Sequence, residues 1–264
     1  EYVAALEARA LGPNIAAFIG HSDMRTATMG LDRATRTEMR PTSGEQAQME
    51  RMLAEALDAG FLGMSSQQLL FDKIDGDTCR SRTLPSTYAK PRELRRLKAQ
   101  LRRRGRVLQS GPDISNPLSL LSQLAQSLPV LRNTLKTSLL SAADVKSNPL
   151  AIALLGPLAR LVNRFGGDFR WQHLPVPFEV YADGIDLVVF EEFGSGAAAL
   201  HLRDEVERDA LLQDEGYRRR FRKDYDAKFG MRVWHRDFFD AEIVECPDES
   251  VIGKSFGQVG IEHG

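Results

Sequence analysis

Thiols, long apolar runs and unbalanced charge are all scarce in this chain. Its two cysteines, Cys79 and Cys246, stand far apart and form no CxxC pair, which excludes a disulfide framework and a thiolate zinc site. A reducing cytoplasm is the expected setting. No apolar run approaches the roughly 20 residues of a bilayer span, and no charged, then apolar, then small-residue leader opens the sequence, so no membrane partner is expected. Lysine and arginine number 35 against 36 aspartates and glutamates, for a net charge of -1. That balance speaks against a nucleic-acid partner, whose footprint needs uncompensated basic clusters. Arg102 to Arg104 and Arg218 to Arg220 both fall on helical patterns and read as solvated faces.

What is present is a repeated cadence: a capped amphipathic helix, a glycine, then a short apolar strand whose last residues are small or polar. Thr42 and Glu45 form a capping box, Met49, Met52, Leu53, Ala56 and Leu57 recur at helical spacing, and Gly60 precedes Phe61 to Ser65. Pro91 opens a second copy with Leu94, Leu97 and Leu101 on one face, and Gly105 precedes Val107 to Gln109. Three further strands are predicted, over Ile15 to Ile19, Thr137 to Ala143 and Phe169 to Gln172. Alternating βα units imply a parallel sheet, with ligands gathered at the carboxyl ends of its strands. Five strand ends fall short of a closed eight-stranded barrel.

Other segments read more plainly. Two short helical pieces broken at Pro129 cover Leu118 to Leu135, and a helix capped at Asn148-Pro149 runs to about Phe165 with a kink at Gly156-Pro157. Residues from Gln67 to Tyr88 form a polar loop on the rim. After Leu174 to Pro177 the texture changes to a hairpin turning at Asp183-Gly184, followed by a long charged helical region from Ala197 to Phe229. Glu1 lies within a pattern that already reads as helix and Gly264 follows no tidy cap, so the chain is expected to be an internal fragment.

Candidate pocket residues are those at the strand tips. His21, in Gly20-His21-Ser22 with Arg25 close behind, reads equally as a ligand-facing or a hydrogen-bonded structural histidine. Ser65 lacks the second glycine of a nucleophile elbow and reads as a pocket-lining hydroxyl. Gln109, Asp113, Asp144, Lys146, Gln172 and His173 also sit at or beyond strand ends. Lys146 is suited to a substrate carboxylate, with an exposed lysine as the plain alternative. Asp72, Asp75 and Asp77 lack the spacing of a calcium loop, and the adjacent Glu191 and Glu192 point to opposite faces if they lie on a strand.

The stretches Asn14 to Arg25, Met52 to Ser66 and Arg106 to Gln109 resemble the N-acyl-D-amino-acid deacylase (D-aminoacylase) branch of the amidohydrolase superfamily. The resemblance runs in order from Tyr2 to about Trp171. The segments Leu174 to Phe178, Asp183-Gly184 and Phe190 to Phe193 are similar to its D-amino-acid hydrolase-like subgroup. It implies a partial (β/α)8 TIM-type barrel over residues 1–174, with an insertion or lid-like region over 175–264 before the last barrel strand. It also implies zinc, or another divalent metal, activating water for attack on the amide of a small N-acyl amino acid, with homo-oligomer formation left open.

In that family His21, Arg25 and Ser65 match landmarks and not the main metal ligands. Two metal-binding histidines of the family fall near Gln109 and near Ala142-Ala143, where this chain has none, and the remaining ligands would lie outside it. Two alternatives stay open: hydrolysis of a cyclic amide of the hydantoin or dihydropyrimidine kind, and a catalytically empty barrel that only binds.

Overall fold

The computed structural model describes residues 2–10, 12, 14–69, 72–74, 78–79, 82–111, 117–129, 133–140, 151–172, 179–182, 190, 194–202, 204–227 and 236–263. The chain divides into two compact units, whose described residues are 2–140 and 151–182 in the first and 190–263 in the second.

The first unit is a mixed α/β fold around a parallel sheet. Its strands β1 (Phe18–Gly20), β2 (Gly63–Gln67), β3 (Val107–Gly111), β4 (Lys136–Leu139) and β5 (Phe169–Trp171) lie side by side in chain order. All four pairings are parallel. All five predicted strands are present with shifted ends. Among the described residues no eighth strand closes them into a barrel; the order simply never reverses, which distinguishes it from a doubly wound sheet.

The helices of this unit are α1 (Tyr2–Glu7), α2 (His21–Met29), α3 (Leu31–Ala34), α4 (Ser43–Asp58), α5 (Pro91–Arg103), α6 (Pro117–Gln126) and α7 (Ala151–Arg164). The capping box is formed as predicted: Glu45 N–H donates to Thr42 Oγ1 at 3.2 Å and Thr42 N–H donates to Glu45 Oε2 at 2.7 Å. After α4 and α5 the chain reverses through Gly60 and Gly105, whose φ values of +100° and +61° suit a residue without a Cβ. Of the two pieces expected over Leu118 to Leu135, the first is α6, which ends at Gln126 before Pro129; of the second, residues 130–132 lie outside the described residues and 133–135 are not helical. Pro157 lies within α7, as the sequence suggested.

Burial is one-sided. Met49, Leu53 and Leu57 of α4 and Leu94, Leu97 and Leu101 of α5 pack with Met64 and Leu108 of the sheet. Leu124 of α6 and Val162 of α7 pack with Leu139 and Phe169. Because neighbouring strand residues alternate in direction, the other sheet face carries Ser65, Gln67, Val107, Gln109, Ser138 and Arg170. Lys98 of α5 is buried and donates to Gln126 Oε1 of α6 at 2.7 Å, and burial, with Arg102 nearby, lowers its pKa to about 8.

The loop after β2 is stitched down. Ser86, in a 3-10 turn over Pro85–Tyr88, donates to the Gln67 carbonyl at 2.5 Å and accepts from Ser22 at 2.9 Å. Arg82 pairs with Asp32 of α3 at 2.9 Å.

The second unit holds α8 (Gly194–Leu200), α9 (Glu205–Gln213), α10 (Glu215–Asp226) and α11 (Phe256–His263). The single charged helical region expected from Ala197 to Phe229 is thus three helices. Asp204 and Asp214 interrupt it by capping: each side chain accepts a backbone N–H three residues on, at 2.9 and 2.6 Å. Tyr217 is buried and donates its hydroxyl to the Ser195 carbonyl at 2.8 Å. The predicted hairpin turn at 183–184 lies outside the described residues. No helix among the described residues is long and apolar enough to cross a membrane.

Leu97 is fully buried between the α4 face and the sheet. Leu97→Ala is expected to destabilise the protein by about 2–5 kcal/mol, and Thr42→Ala by about 1 kcal/mol through loss of the cap. Urea denaturation of the two variants checks the ordering.

Candidate functional site

The parallel register lines up one row of residues across the sheet. Gly20 is opposite Ser65, Ser65 opposite Gln109, Gln109 opposite Ser138 and Ser138 opposite Arg170. Of the residues expected to line a pocket, Ser65 and Gln109 are therefore neighbours on one half-buried polar face; they do not end their strands, as the sequence suggested, but lie mid-strand, because β2 runs on to Gln67 and β3 to Gly111. Gln109 Nε2 donates to Gln172 Oε1 at 3.1 Å, and Gln172 Nε2 donates to Ser138 Oγ at 2.8 Å. Residues of β3 and β4 and the residue that follows β5 are thereby joined by neutral hydrogen bonds. Asp113, Lys146, Asp144, His173 and the Glu191-Glu192 pair lie outside the described residues.

His21 and Arg25 are placed elsewhere. His21 does not end a strand but begins α2, directly after Gly20, and its ring is fully buried on the helix-covered side of the sheet. Its Nε2 lies 2.7 Å from Glu93 Oε1 and its Nδ1 lies 3.1 Å from Ser66 Oγ. The carboxylate can only accept, so Nε2 carries the proton and Nδ1 accepts from the serine hydroxyl. Arg25, also fully buried, donates to Glu93 Oε2 and, at 3.3 Å, to the Ala34 carbonyl. Glu93, in the first turn of α5, therefore bridges two side chains of α2. The group assembled around His21 is Ser66, Glu93 and Arg25, and it does not include Ser65 or Gln109.

Charge in this cluster follows from burial and pairing. Burial disfavours the imidazolium and lowers the His21 pKa from its ordinary 6.5, against the opposing pull of Glu93. Burial alone would raise Glu93, but its bonds to His21 and Arg25 hold it below its ordinary 4.5. The arrangement is a neutral histidine and an ionised Arg25–Glu93 pair. Because the unfolded imidazole binds its proton more readily than the folded one, this contribution is full above about pH 6.5 and declines as pH falls below it. The Glu93 contribution is full above its unfolded value and is lost as pH falls through the lower folded one.

Thermal melts from pH 8 to pH 4 are expected to show stability falling below about pH 6.5, and His21→Gln to flatten the first part of that fall. Glu93→Gln, which leaves Arg25 buried without its counter-charge, is expected to cost about 3–5 kcal/mol.

Zinc is held by imidazole, thiolate or carboxylate groups. Ser65, Gln109, Ser138 and Gln172 offer only hydroxyls and carboxamides, Arg170 in the same row is a cation, and both ring nitrogens of His21 are engaged in a closed cluster. Among the described residues no group of three or more His, Cys, Asp or Glu is placed to hold a metal ion. The row does not fit the metal that the sequence resemblance implies.

No protein-family model matches the chain. It is 54% identical over 268 residues to an uncharacterized protein of Mycobacterium tuberculosis (strain ATCC 25618 / H37Rv), and again to one of Mycobacterium bovis, covering 100% of this chain and 44% of each relative. The chain thus spans less than half the length of these curated relatives. It is 45% identical over 65 residues to an N-acyl-D-glutamate deacylase of Alcaligenes xylosoxydans xylosoxydans, covering 25% of this chain and 12% of that enzyme. Among solved structures it is similar to the N-acyl-D-glutamate deacylase of Bordetella bronchiseptica complexed with zinc and a phosphonate inhibitor. That likeness has 22% identity and a TM-score of 0.46, over 67% of this chain and 34% of that one.

Proposed function

We propose that this chain is part of an amidohydrolase-type enzyme of the D-aminoacylase branch that cleaves the linear amide of a small N-acyl-D-amino acid. The observation that carries the reading is the alignment of Ser65, Gln109 and Ser138 on the polar face of a parallel sheet covered by described helices on its other side. Unreversed strand order and one-sided helices are the pattern of a segment of a (β/α)8 barrel, which binds substrate at the carboxyl ends of its strands. The local similarity to a deacylase supports the same chemistry. In this reading a divalent metal would be held by residues other than the polar row.

A second reading, a barrel that binds without hydrolysing, is favoured by Gln109 on β3, near which the resembled family has a metal-binding histidine.

The full-length parent protein, purified with zinc, is expected to release free amino acid from N-acetyl-D-amino acids in preference to the L forms. Activity is expected to disappear on chelation and to return with zinc. Absence of turnover with and without metal, across several acyl groups, would remove the deacylase reading and leave the binding one.

A further inference from the structure

Both hydrogen bonds of the Gln109, Gln172 and Ser138 chain run in one sense, from amide nitrogen to oxygen. Gln109 spends its donor on Gln172, and its own Oε1 accepts no hydrogen bond among the described residues. Gln109 is half-buried, and Ser65 is directly opposite it in the strand register. An amide carbonyl whose N–H group is already donating is polarised toward a stronger acceptor, because bonds in series reinforce one another. Fixing Gln172 through Ser138 also removes the rotational freedom that a lone glutamine would lose on binding.

We propose that Gln109 is a specificity-determining residue that accepts the N–H of the substrate's amide, held in orientation by Gln172 and Ser138 as positioning residues. The Ser65 hydroxyl supplies the complementary donor to an amide carbonyl. The class of ligand selected is therefore a secondary amide, in preference to an ester or ketone of the same shape. This rests on the proposed function for the identity of the substrate, but the recognition it describes needs no turnover.

The test uses the full-length parent protein and two probes, N-acetyl-D-alanine and 2-methyl-4-oxopentanoate, in which a methylene replaces the N–H. Affinity is read by calorimetry, or from KM where the amide turns over. The wild type is expected to prefer the amide by about tenfold, the worth of one well-formed hydrogen bond. Gln109→Ala is expected to bind the two probes equally, and Ser138→Ala, which only loosens Gln172, to keep part of the preference. Gln109→Glu, close in shape but unable to donate to Gln172, keeps the test open if the alanine variant fails to fold; it is expected to lose the Ser138-dependence of binding. Zinc content is expected to be the same in wild type and Gln109→Ala. A wild type that binds neither probe, equal preference in wild type and both Gln109 variants, or zinc lost with Gln109→Ala would each overturn the assignment. Amide preference without hydrolysis would sustain it while removing the deacylase reading, and hydrolysis unaffected by Gln109 would do the reverse.

Discussion

One-sided burial of a parallel sheet is the constraint on which the rest of the first unit depends. Parallel strands need cover on both faces, and the described helices α2 and α4 to α7 supply it on one. Period-two alternation then sorts every strand residue. Met64, Leu108, Leu139 and Phe169 go to the helices, while Ser65, Gln109 and Ser138 go to the opposite side. Polar residues gather on the second face because the first is filled with leucine and methionine.

Glu93 anchors that sorting at the first βα junction. Its two oxygens accept from His21 and Arg25 of α2, while His21 takes the hydroxyl of Ser66 on β2. A buried carboxylate between two donors is stabilised only while both are present, so the start of α5, the start of α2 and the end of β2 hold one another in place.

Much of this was legible in the sequence, and the exceptions have identifiable causes. β2 and β3 are legible because each belongs to a short apolar run that follows a glycine-terminated helix, as Gly60 before Phe61 and Gly105 before Val107 show. Ser65 and Gln109 share a face, although each reads in the sequence as a strand end: β2 and β3 run two residues further, through polar and glycine residues that hide the true ends. His21 was read as a tip because it follows an apolar run, yet it is already the first residue of a helix and its ring turns to the covered side. Ser66 and Glu93 were missed as its partners. The signal was available in part: two adjacent serines on a strand must face opposite ways, so one of them had to join the helical layer. Nothing local marks Glu93 as buried, since a first-turn acid after Pro91 is ordinary dipole chemistry and its burial comes from a tertiary contact 72 residues away. The break of the charged region into three helices was signalled by Asp204 and Asp214, which resemble solvated charges until their capping role is considered.

The hydrogen-bonded row of Gln109, Gln172 and Ser138 contains no group that titrates in the physiological range. Serine and glutamine keep their donors and acceptors from acid to alkali, and they attract no counter-ions for salt to displace. The hydrogen bonds that Ser65, Gln109, Ser138 and Gln172 offer a ligand therefore do not change with pH in that range, while Arg170, in register with Ser138 on the same face, adds a charge that salt screens. The acid limit of this half of the protein is set in its interior, beneath α2 and α5, and not where a ligand would touch it.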